Sequence, residues 1–344
     1  MKNFYDSVRS ERQLKSLTGL GKSKFEELLQ AFEQALVEIT NEKYRRNRTT
    51  RSRRPGGGRK GQLSTPENKL FFILFYLKEY PTYDVLGFTF DLNPSKAEEN
   101  VKKLLPVLRR AQSKLNTLPK RILQGRKELE ETLETVEAIT LTPQSPLPDT
   151  TTETCQKAKN SSKVVKTEPI VFIDVTERDH FRHQDNSKQK KHYSGKRKRH
   201  TVKNTIVSDS KRRILFLGRT KPGSQHDYKM FKKEFSKTVD WFSKVNVCVD
   251  LGYQGIKKDY SSAQNIKIPH KKPRKSKKNP KPSLTRKQKA ENQQIASKRV
   301  VVEHAIGGMK AFHILTNKFR NRSKNLVDEV IFQVAGLWNL KIFS

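Results

Sequence analysis

Three acidic residues stand in contexts that could bind metal ions. Asp174 ends the run Val-Phe-Ile-Asp, Asp250 ends Val-Cys-Val-Asp, and Glu303 lies in Arg-Val-Val-Val-Glu-His. The first two acids close runs of β-forming residues, and the third lies in a helical pattern. Carboxylates from two strand ends and a helix suit a pair of Mg²⁺ ions about 4 Å apart, which clamp the attacking and leaving oxygens of a phosphodiester. The three residues are therefore candidate metal ligands and catalytic residues for phosphoryl transfer.

Each acid also has a simpler interpretation as a solvated surface charge or a helix cap. For Asp250, the apolar run Val245 to Val249 makes an accidental surface acid a poor explanation. For Glu303 alone the simpler interpretation is the stronger one, because a single Glu on a basic helix is ordinary. Arg299 and Lys310 lie four residues before and seven after it, within about 40° of one helix face. Cations beside a metal ligand could neutralise the phosphates of a nucleic acid bound at that metal.

The chain is strongly basic. Its 344 residues include 72 Lys and Arg against 35 Asp and Glu, a formal net charge of +37, and 33% of the residues are apolar. This length predicts two or three domains, and the low apolar content predicts solvated segments between them. Such a charge opposes compaction unless anions neutralise it, as phosphates of nucleic acid do with release of counterions. We therefore expect nucleic-acid binding, with a solubilising surface as the alternative.

Several classes of protein are excluded by composition. Cys155 and Cys248 are the two cysteines, too few for a disulfide scaffold or a four-cysteine zinc site. The N-terminus has no apolar segment typical of a secretory signal, and no apolar run approaches the roughly 20 residues of a membrane span. We expect an intracellular protein without membrane contact.

The first 62 residues divide into a helical segment, 1–42, and a basic arm, 43–62. In the segment, Ser23 is the predicted cap of a helix whose apolar face includes Phe25, Leu28 and Phe32. The arm is rich in Arg and Gly and has no periodicity. It is either a flexible linker or a segment that lies in a DNA minor groove, because Arg with small neighbours fits that narrow space.

Residues 63–110 predict a helix-turn-helix domain. Ser64 or Thr65 caps a first helix with Pro66 in its first turn, Thr82 to Phe90 form a second, and a third runs from Pro94 to about Leu105. Two helices joined by a tight turn after a longer one match the DNA-binding plan, although a plain helical bundle is the alternative. Glu98 and Glu99 count against phosphate contact by the third helix. Its outward side chains, the candidate DNA contacts, are Ser95, Lys96, Asn100 and Lys103.

Residues 111–168 are a predicted linker, rich in Pro, Ser and Thr in its second half, and residues 169–344 form the second domain. In that domain a buried strand ends at Asp174, and a hairpin follows over 200–217. A helix over 225–235, strands near Asp250 and Ile266, and two long helices complete it. Three strands, a helix, a strand and a helix follow the order of an RNase H-like fold. The predicted class is α/β: an RNase H-like mixed sheet flanked by helices, preceded by an all-α helix-turn-helix domain.

Further polar residues of the second domain are candidates for supporting roles. His226 and Asp227 stand at a helix start, so we interpret them as a local cap and as a pair that supports the metal ligands from behind, rather than as ligands themselves. Lys196 and His200 lie among Lys and Arg and are predicted phosphate contacts. The run from Lys271 to Lys289, which begins with Lys271 and Lys272, contains ten Lys or Arg and no acid. It is either a loop on the DNA backbone or a disordered insertion.

Six ordered motifs together resemble the DDE-type insertion-sequence transposases, in particular the DDE superfamily endonucleases with an N-terminal helix-turn-helix. The motifs are Asp174 with its strand, Y-S-G-K-R-K-R-H-T-V-K at 193–203, P-G-S-Q-H-D at 222–227, D-L-G-Y-Q-G-I at 250–256, I-P-H-K-K-P at 268–273 and R-V-V-V-E-H-A-I-G-G-M-K at 299–310. The resemblance covers roughly residues 63–110 and 170–340. The chain departs from it at Val175, where the family often has Gly, and at Gly308, where it often has Arg.

The resemblance implies a metal-dependent DNA endonuclease and strand transferase. It implies that Asp174, Asp250 and Glu303 hold two Mg²⁺ ions, for which Mn²⁺ can substitute. From their place on the helix face of Glu303, we also predict that Arg299 and Lys310 contact DNA. The implied reaction is cleavage at the terminal inverted repeats of the element, followed by joining of the 3′ ends to target DNA by a homodimer. We expect a cytoplasmic, nucleoid-associated prokaryotic protein. The alternatives are a catalytically inactive, transposase-derived DNA-binding protein and, from charge alone, a structural RNA-binding protein.

Overall fold

A computed structural model describes residues 4–47, 61–139, 169–261, 263, 265–276, 280–323 and 325–342. Most of the predicted arm, the second half of the predicted linker and Cys155 lie outside these residues. Residues 277–279 of the basic run from Lys271 to Lys289 lie outside them as well.

The first part of the chain is helical. Its helices are α1 (Glu11–Thr18), α2 (Lys22–Arg46), α3 (Pro66–Glu79), α4 (Tyr83–Thr89), α5 (Pro94–Lys114) and α6 (Arg126–Ile139). The predicted cap at Ser23 is wrong, because α2 already begins at Lys22 after Gly21. That helix also continues to Arg46, into the segment predicted as the arm.

Helices α3 to α5 form the helix-turn-helix, and polar caps define their starts. The side-chain oxygens of Thr65, Thr82 and Asn93 accept hydrogen bonds from backbone N–H groups in the first turns of α3, α4 and α5. The turn between α4 and α5 requires Gly87, because a Cβ there would collide with the carbonyl oxygen of Leu92. The third helix is longer than predicted: it passes through Pro106 to Lys114 and enters the segment predicted as linker.

The second part of the chain forms a mixed sheet with helices. Its strands are β1 (Ile170–Asp179), β2 (Tyr193–Ser194), β3 (Arg199–Asp209), β4 (Ile214–Leu217), β5 (Lys221–Pro222), β6 (Asn246–Cys248) and β7 (Ile266–Lys267). Its helices are α7 (Asn186–His192), α8 (Asp227–Glu234), α9 (Ile256–Asp259), α10 (Arg286–Lys310), α11 (His313–Thr316) and α12 (Leu326–Ile342). The predicted helix over 225–235 is therefore shorter and begins at Asp227.

The sheet order is β2-β3-β1-β6-β7, with β4 and β5 also paired to β3. Strands β1 and β3 are antiparallel, as are β3 and β4, which confirms the predicted hairpin. Strand β6 is parallel to β1, with Phe172 opposite Cys248. Asp174 and Asp250 each follow one of these two partners by two residues, so the register brings both acids to the same edge of the sheet.

Helices cover the sheet and join it to the helix-turn-helix. One buried apolar cluster includes residues of α3 to α5 together with α10 and α12, and a second cluster on the sheet includes residues of α6 and α8. The side chain of Gln112 on α5 donates to the carbonyl oxygen of Gln333 on α12 at 2.8 Å. The described residues thus form an all-α part and an α/β sheet part that share a core, which confirms the predicted fold class. No helix in the described ranges is both long and apolar enough to cross a membrane.

Candidate active site

Two of the predicted metal ligands converge on one guanidinium group. Arg299 Nη2 lies 3.5 Å from Asp174 Oδ2, and Arg299 Nη1 lies 3.2 Å from Asp250 Oδ1. The Arg299 side chain is only 13% exposed, so the two ion pairs lie in a partly buried site rather than on the open surface. The carboxylates of Asp174 and Asp250 therefore reach a common cationic centre, as the strand register requires.

The electrostatic surroundings of Asp174 are those of a crowded acidic site. Burial raises the pKa of Asp174, and the nearby charges of Asp250 and Asp227 raise it further. The backbone N–H of Val175, which donates to Asp174 Oδ1 at 2.7 Å, and the Arg299 guanidinium oppose this increase in the pKa. A carboxylate in such surroundings gains from any cation placed beside it.

Asp227 belongs to the same acidic neighbourhood through a buried lysine. It is the first residue of α8, and its Oδ1 lies 3.0 Å from Nζ of Lys203, which also donates to the carbonyl oxygen of Gln225 at 3.1 Å. His226 occupies the cap position but makes no side-chain capping hydrogen bond. The predicted capping role of this pair is therefore wrong in its detail, because Asp227 bonds to Lys203 on β3 instead.

Glu303 lies on α10 four residues after Arg299, and its side chain is exposed. In the described part of the chain it forms no ion pair, unlike Asp174 and Asp250. Lys310 ends the same helix; burial lowers its pKa, the charge of Arg197 adds to this effect, and the charge of Asp174 opposes it. The structure therefore brings Lys310 close to Asp174 but does not join Glu303 to the two strand acids.

The donor chemistry of Asp174 and Asp250 fits a hard divalent cation. Both offer carboxylate oxygens, which such a cation prefers. The Arg299 guanidinium already places one positive charge against both carboxylates. Among the described residues, however, no three His, Cys, Asp or Glu side chains are grouped closely enough to hold a metal ion. Two of the three predicted ligands thus lie at one cationic centre, and Glu303 is not grouped with them.

The predicted phosphate contacts of the second domain lie on exposed or half-exposed positions. Lys196 is exposed in the turn between β2 and β3, and Lys271 and Lys272 are exposed in a segment without regular structure. His200 on β3 lines a pocket of about 440 Å³ together with Lys198, Arg199 and Lys318. The lysines and Arg199 are accessible to a polyanion, whereas burial and the charge of Arg182 lower the pKa of His200 and disfavour its charged form.

The third helix of the helix-turn-helix presents its predicted DNA contacts outward, but some of them are engaged within the helix. Ser95 and Lys96 are exposed, and Asn100 is half-buried. Lys96 Nζ lies 2.8 Å from Glu99, while Asn100 donates its side-chain amide to the Lys96 carbonyl oxygen at 2.8 Å. Glu99 also pairs with Lys103 at 2.5 Å. DNA phosphates would have to compete with Glu99 for these lysines.

Two supporting residues were not singled out from the sequence. Lys203 is buried in the middle of β3, although the sequence of that strand is largely polar and gives no clear signal of it. Glu177 on β1 accepts a hydrogen bond from Thr201 Oγ1 at 2.6 Å and lies 3.7 Å from Arg197. The two residues are register partners on β1 and β3, three positions along from Asp174 and its partner Ile206.

Comparison with known proteins identifies the same two parts. Residues 173–339 match the family described as DDE superfamily endonuclease, and residues 61–112 match the helix-turn-helix of DDE superfamily endonuclease. The chain is 30% identical over 279 residues to the probable transposase for insertion sequence element IS702 of Microchaete diplosiphon, which covers 80% of this chain and 80% of that protein. No solved structure matches the chain significantly.

Proposed function

The chain belongs to the DDE-type insertion-sequence transposases with an N-terminal helix-turn-helix, and we propose that it cleaves and rejoins DNA at the ends of its own element. In this proposal it binds the terminal inverted repeats, cuts strands there and joins the freed 3′ ends to target DNA. The observation that carries the proposal is the convergence of Asp174 and Asp250 on one cationic centre at the edge of the sheet. A carboxylate pair in a chain whose formal net charge is +37 suits phosphoryl transfer on a polyanion.

The catalytic residues of the proposal are Asp174, Asp250 and Glu303. The first two would hold Mg²⁺, or Mn²⁺ in its place, from neighbouring strand ends, and Glu303 would add a ligand from α10. The metal would lower the pKa of the attacking water or hydroxyl and stabilise charge on the phosphate, so no side-chain base would be needed. Arg299 and Lys310 would contact the DNA phosphates.

The remaining roles concern DNA binding. The third helix of the helix-turn-helix reads the element end through Ser95, Lys96 and Asn100. Lys196, His200, Lys271 and Lys272 contact the DNA backbone without reading sequence. Asp227 supports the site through Lys203. Since two element ends must be held at once, we propose a homodimer on DNA, in the nucleoid of a prokaryotic cell.

The direct test uses the purified full chain with duplex DNA that carries the sequences flanking its own gene. Mg²⁺ is compared with EDTA, and Asp250→Asn and Glu303→Gln are compared with the wild type. We expect metal-dependent nicks at the element ends, lost in both variants. Full cleavage by Asp250→Asn would overturn the assignment of the strand acids, and full cleavage by Glu303→Gln would overturn that of Glu303. Gln293→Ala, an exposed change on the same helix outside the basic run, is the matched control.

A transposase-derived protein that binds DNA without cutting it is the second candidate, motivated by the glycine at position 308. The structure gives Gly308 a packing role, because a Cβ there would collide with the indole of Trp338 on α12. The glycine at this position therefore has a structural reason that is independent of catalytic activity. Tight duplex binding without cleavage in any divalent metal would support the inactive protein, and a preference for double-stranded RNA would support an RNA-binding one.

A further inference from the structure

A second polar cavity lies away from the paired carboxylates, at the far end of β1. It has a volume of about 780 Å³ and is lined by the segment after β1, by α7, by β5 and by the segment before α12. His180 follows β1 directly and is six residues beyond Asp174. At about 3.3 Å per residue of extended strand, the cavity is roughly 20 Å from Asp174.

One wall of the cavity consists of aromatic rings. The ring centroids of His180 and Phe181 are 4.1 Å apart, those of Phe181 and His183 are 4.6 Å apart, and those of His183 and His192 are 4.4 Å apart. Three imidazoles and a phenyl ring thus form one contiguous aromatic surface along the wall of this large cavity. Such a surface can stack on a nucleobase of any sequence, because every base has a π-face.

Backbone carbonyl groups orient two imidazoles of this wall. His180 Nδ1 lies 3.2 Å from the carbonyl oxygen of Phe181, and His192 Nδ1 lies 2.9 Å from that of Lys188. Because a carbonyl can only accept, each of these Nδ1 atoms donates its proton to the backbone. His183 Nε2 is buried and has no hydrogen-bond partner among the described residues. Burial lowers the pKa of His180 to about 4 and also lowers that of His183.

Cations surround the aromatic wall. Arg182, Lys188, Arg219, Lys221 and Arg322 line the cavity, with Asp185 and Asp328 as its two acids. Both acids are already engaged: Asp185 caps α7, and Asp328 accepts from Thr220 N at 2.8 Å and lies 3.2 Å from Arg121. Lys188 and Arg322 are exposed. The cavity is therefore complementary to phosphate groups as well as to bases.

We propose that this cavity, which we call the histidine pocket, binds an unpaired nucleotide of the DNA strand whose phosphodiester reaches Asp174 and Asp250. The proposal rests on the proposed function, because it assumes DNA at the carboxylates. A duplex keeps its bases stacked inside, so only an unpaired or flipped base can enter a concave pocket. At one phosphate per about 3.4 Å of strand, the 20 Å from Asp174 to the histidine pocket corresponds to about six nucleotides. Metal binding is the poorer explanation, since the described residues contain no group of three metal-binding side chains suited to hold an ion.

The test measures binding of the full chain in EDTA, so that cleavage is not required. Fluorescence anisotropy compares a blunt duplex with the same duplex carrying a six-nucleotide 3′ or 5′ overhang. We expect the wild type to bind the duplex with one of the two overhangs about tenfold more tightly than the blunt duplex. This gain is the size expected when one base stacks on aromatic rings. The double variant Phe181→Ala with His183→Ala should lose this preference and keep its affinity for the blunt duplex. Phe181→Tyr, which keeps a ring, should retain the preference.

A control and a second measurement keep the outcome clear if the double variant folds poorly. His313→Ala removes a half-exposed histidine beside Glu79 on α3, away from the histidine pocket, and should leave the preference unchanged. In the wild type, 2-aminopurine placed along the overhang should be quenched most at one position by stacking. Equal affinities for blunt and overhanging DNA, or uniform fluorescence along the overhang, would overturn the histidine pocket while leaving the proposed function intact. Failure to bind any DNA would instead overturn the proposed function.

Discussion

Arg299 Nη1 lies 3.2 Å from Asp250 Oδ1, and its Nη2 lies 3.5 Å from Asp174 Oδ2. The guanidinium therefore occupies the position from which a divalent cation would neutralise both acids. Because Asp174 is half-buried and its pKa is raised, these ion pairs reduce the repulsion between the two carboxylates when no metal is present. Under the proposed function, arginine and metal are alternative counterions of the same pair.

This relationship predicts opposite effects of Arg299→Gln on stability and on metal binding. In EDTA the variant should unfold about 1–3 kcal/mol more easily, because a buried carboxylate loses its charged partner. It should bind Mg²⁺ more tightly than the wild type, because the competing cation is gone. Chemical denaturation in EDTA measures the first effect, and calorimetric titration with Mg²⁺ measures the second. Weaker Mg²⁺ binding by the variant would contradict the exchange, and Lys287→Gln should change neither quantity.

The adjacent glycines of α10 predict a matched pair of stability changes. Gly307 faces open space, whereas Gly308 packs against the indole of Trp338, whose Nε1 donates to the carbonyl oxygen of Arg212 at 2.9 Å. Gly307→Ala should stabilise the protein by about 0.5–1 kcal/mol through helix propensity. Gly308→Ala should destabilise it by roughly 1–3 kcal/mol, because the new methyl group displaces Trp338.

Thermal or urea unfolding of the two alanine variants beside the wild type measures both changes. The opposite signs test the packing directly, since the two substitutions are chemically identical and one residue apart. If both alanines stabilised the protein, the close contact between Gly308 and Trp338 would be wrong.

Local patterns in the sequence predicted much of this architecture, and the placement of the strand acids followed from them. The buried run before Asp174 and the run before Asp250 identified neighbouring strands, and parallel pairing then forces their ends together. The outcome for α5 was different. The helix was predicted to end at about Leu105, yet it continues through Pro106 because Leu104, Leu105 and Leu108 are buried against its neighbours. Tertiary packing here outweighs the local cost of a proline.

Contacts between distant segments could not be predicted in the same way. Lys203 reaches Asp227 across 24 positions and Arg299 reaches Asp250 across 49, so neither contact leaves a periodic signal in the chain. The histidine pocket likewise combines residues near 180, 220 and 325. Glu303 was identified by resemblance and lies on the expected helix, but its place beside the strand acids remains a proposal.

The shared core predicts that Asn339→Ala will destabilise the whole molecule. Asn339 is buried on α12; its Oδ1 accepts from Ile214 N at 2.9 Å, and its Nδ2 donates to the carbonyl oxygens of Thr117 and Ile214 at 2.8 and 3.0 Å. Alanine would leave these backbone groups buried without partners, at a cost of about 2–4 kcal/mol. Urea unfolding measures this loss, and the exposed change Gln293→Ala is the control. A loss similar to that of the control would contradict the bridging role of Asn339.

Glu234 predicts a stability that depends on pH. Its carboxyl group lies against Gly218 on the edge of the core, and burial raises its pKa from 4.5 to about 7. The folded state therefore holds a proton between pH 4.5 and 7 that the unfolded state has lost, so this group makes the protein less stable as the pH rises through that window. Glu234→Gln removes the ionisable group and keeps its shape.

We expect Glu234→Gln to raise the free energy of unfolding at pH 8 by roughly 1–3 kcal/mol and to change it little at pH 4.5, where the wild-type carboxyl is already protonated in the folded state. Urea unfolding at half-unit steps from pH 4.5 to 8 measures the difference. Glu26→Gln, which alters an exposed carboxylate, should give a small and pH-independent change. A difference between Glu234→Gln and the wild type that stays constant across the range would mean that Glu234 ionises at the same pH in the folded and unfolded chains.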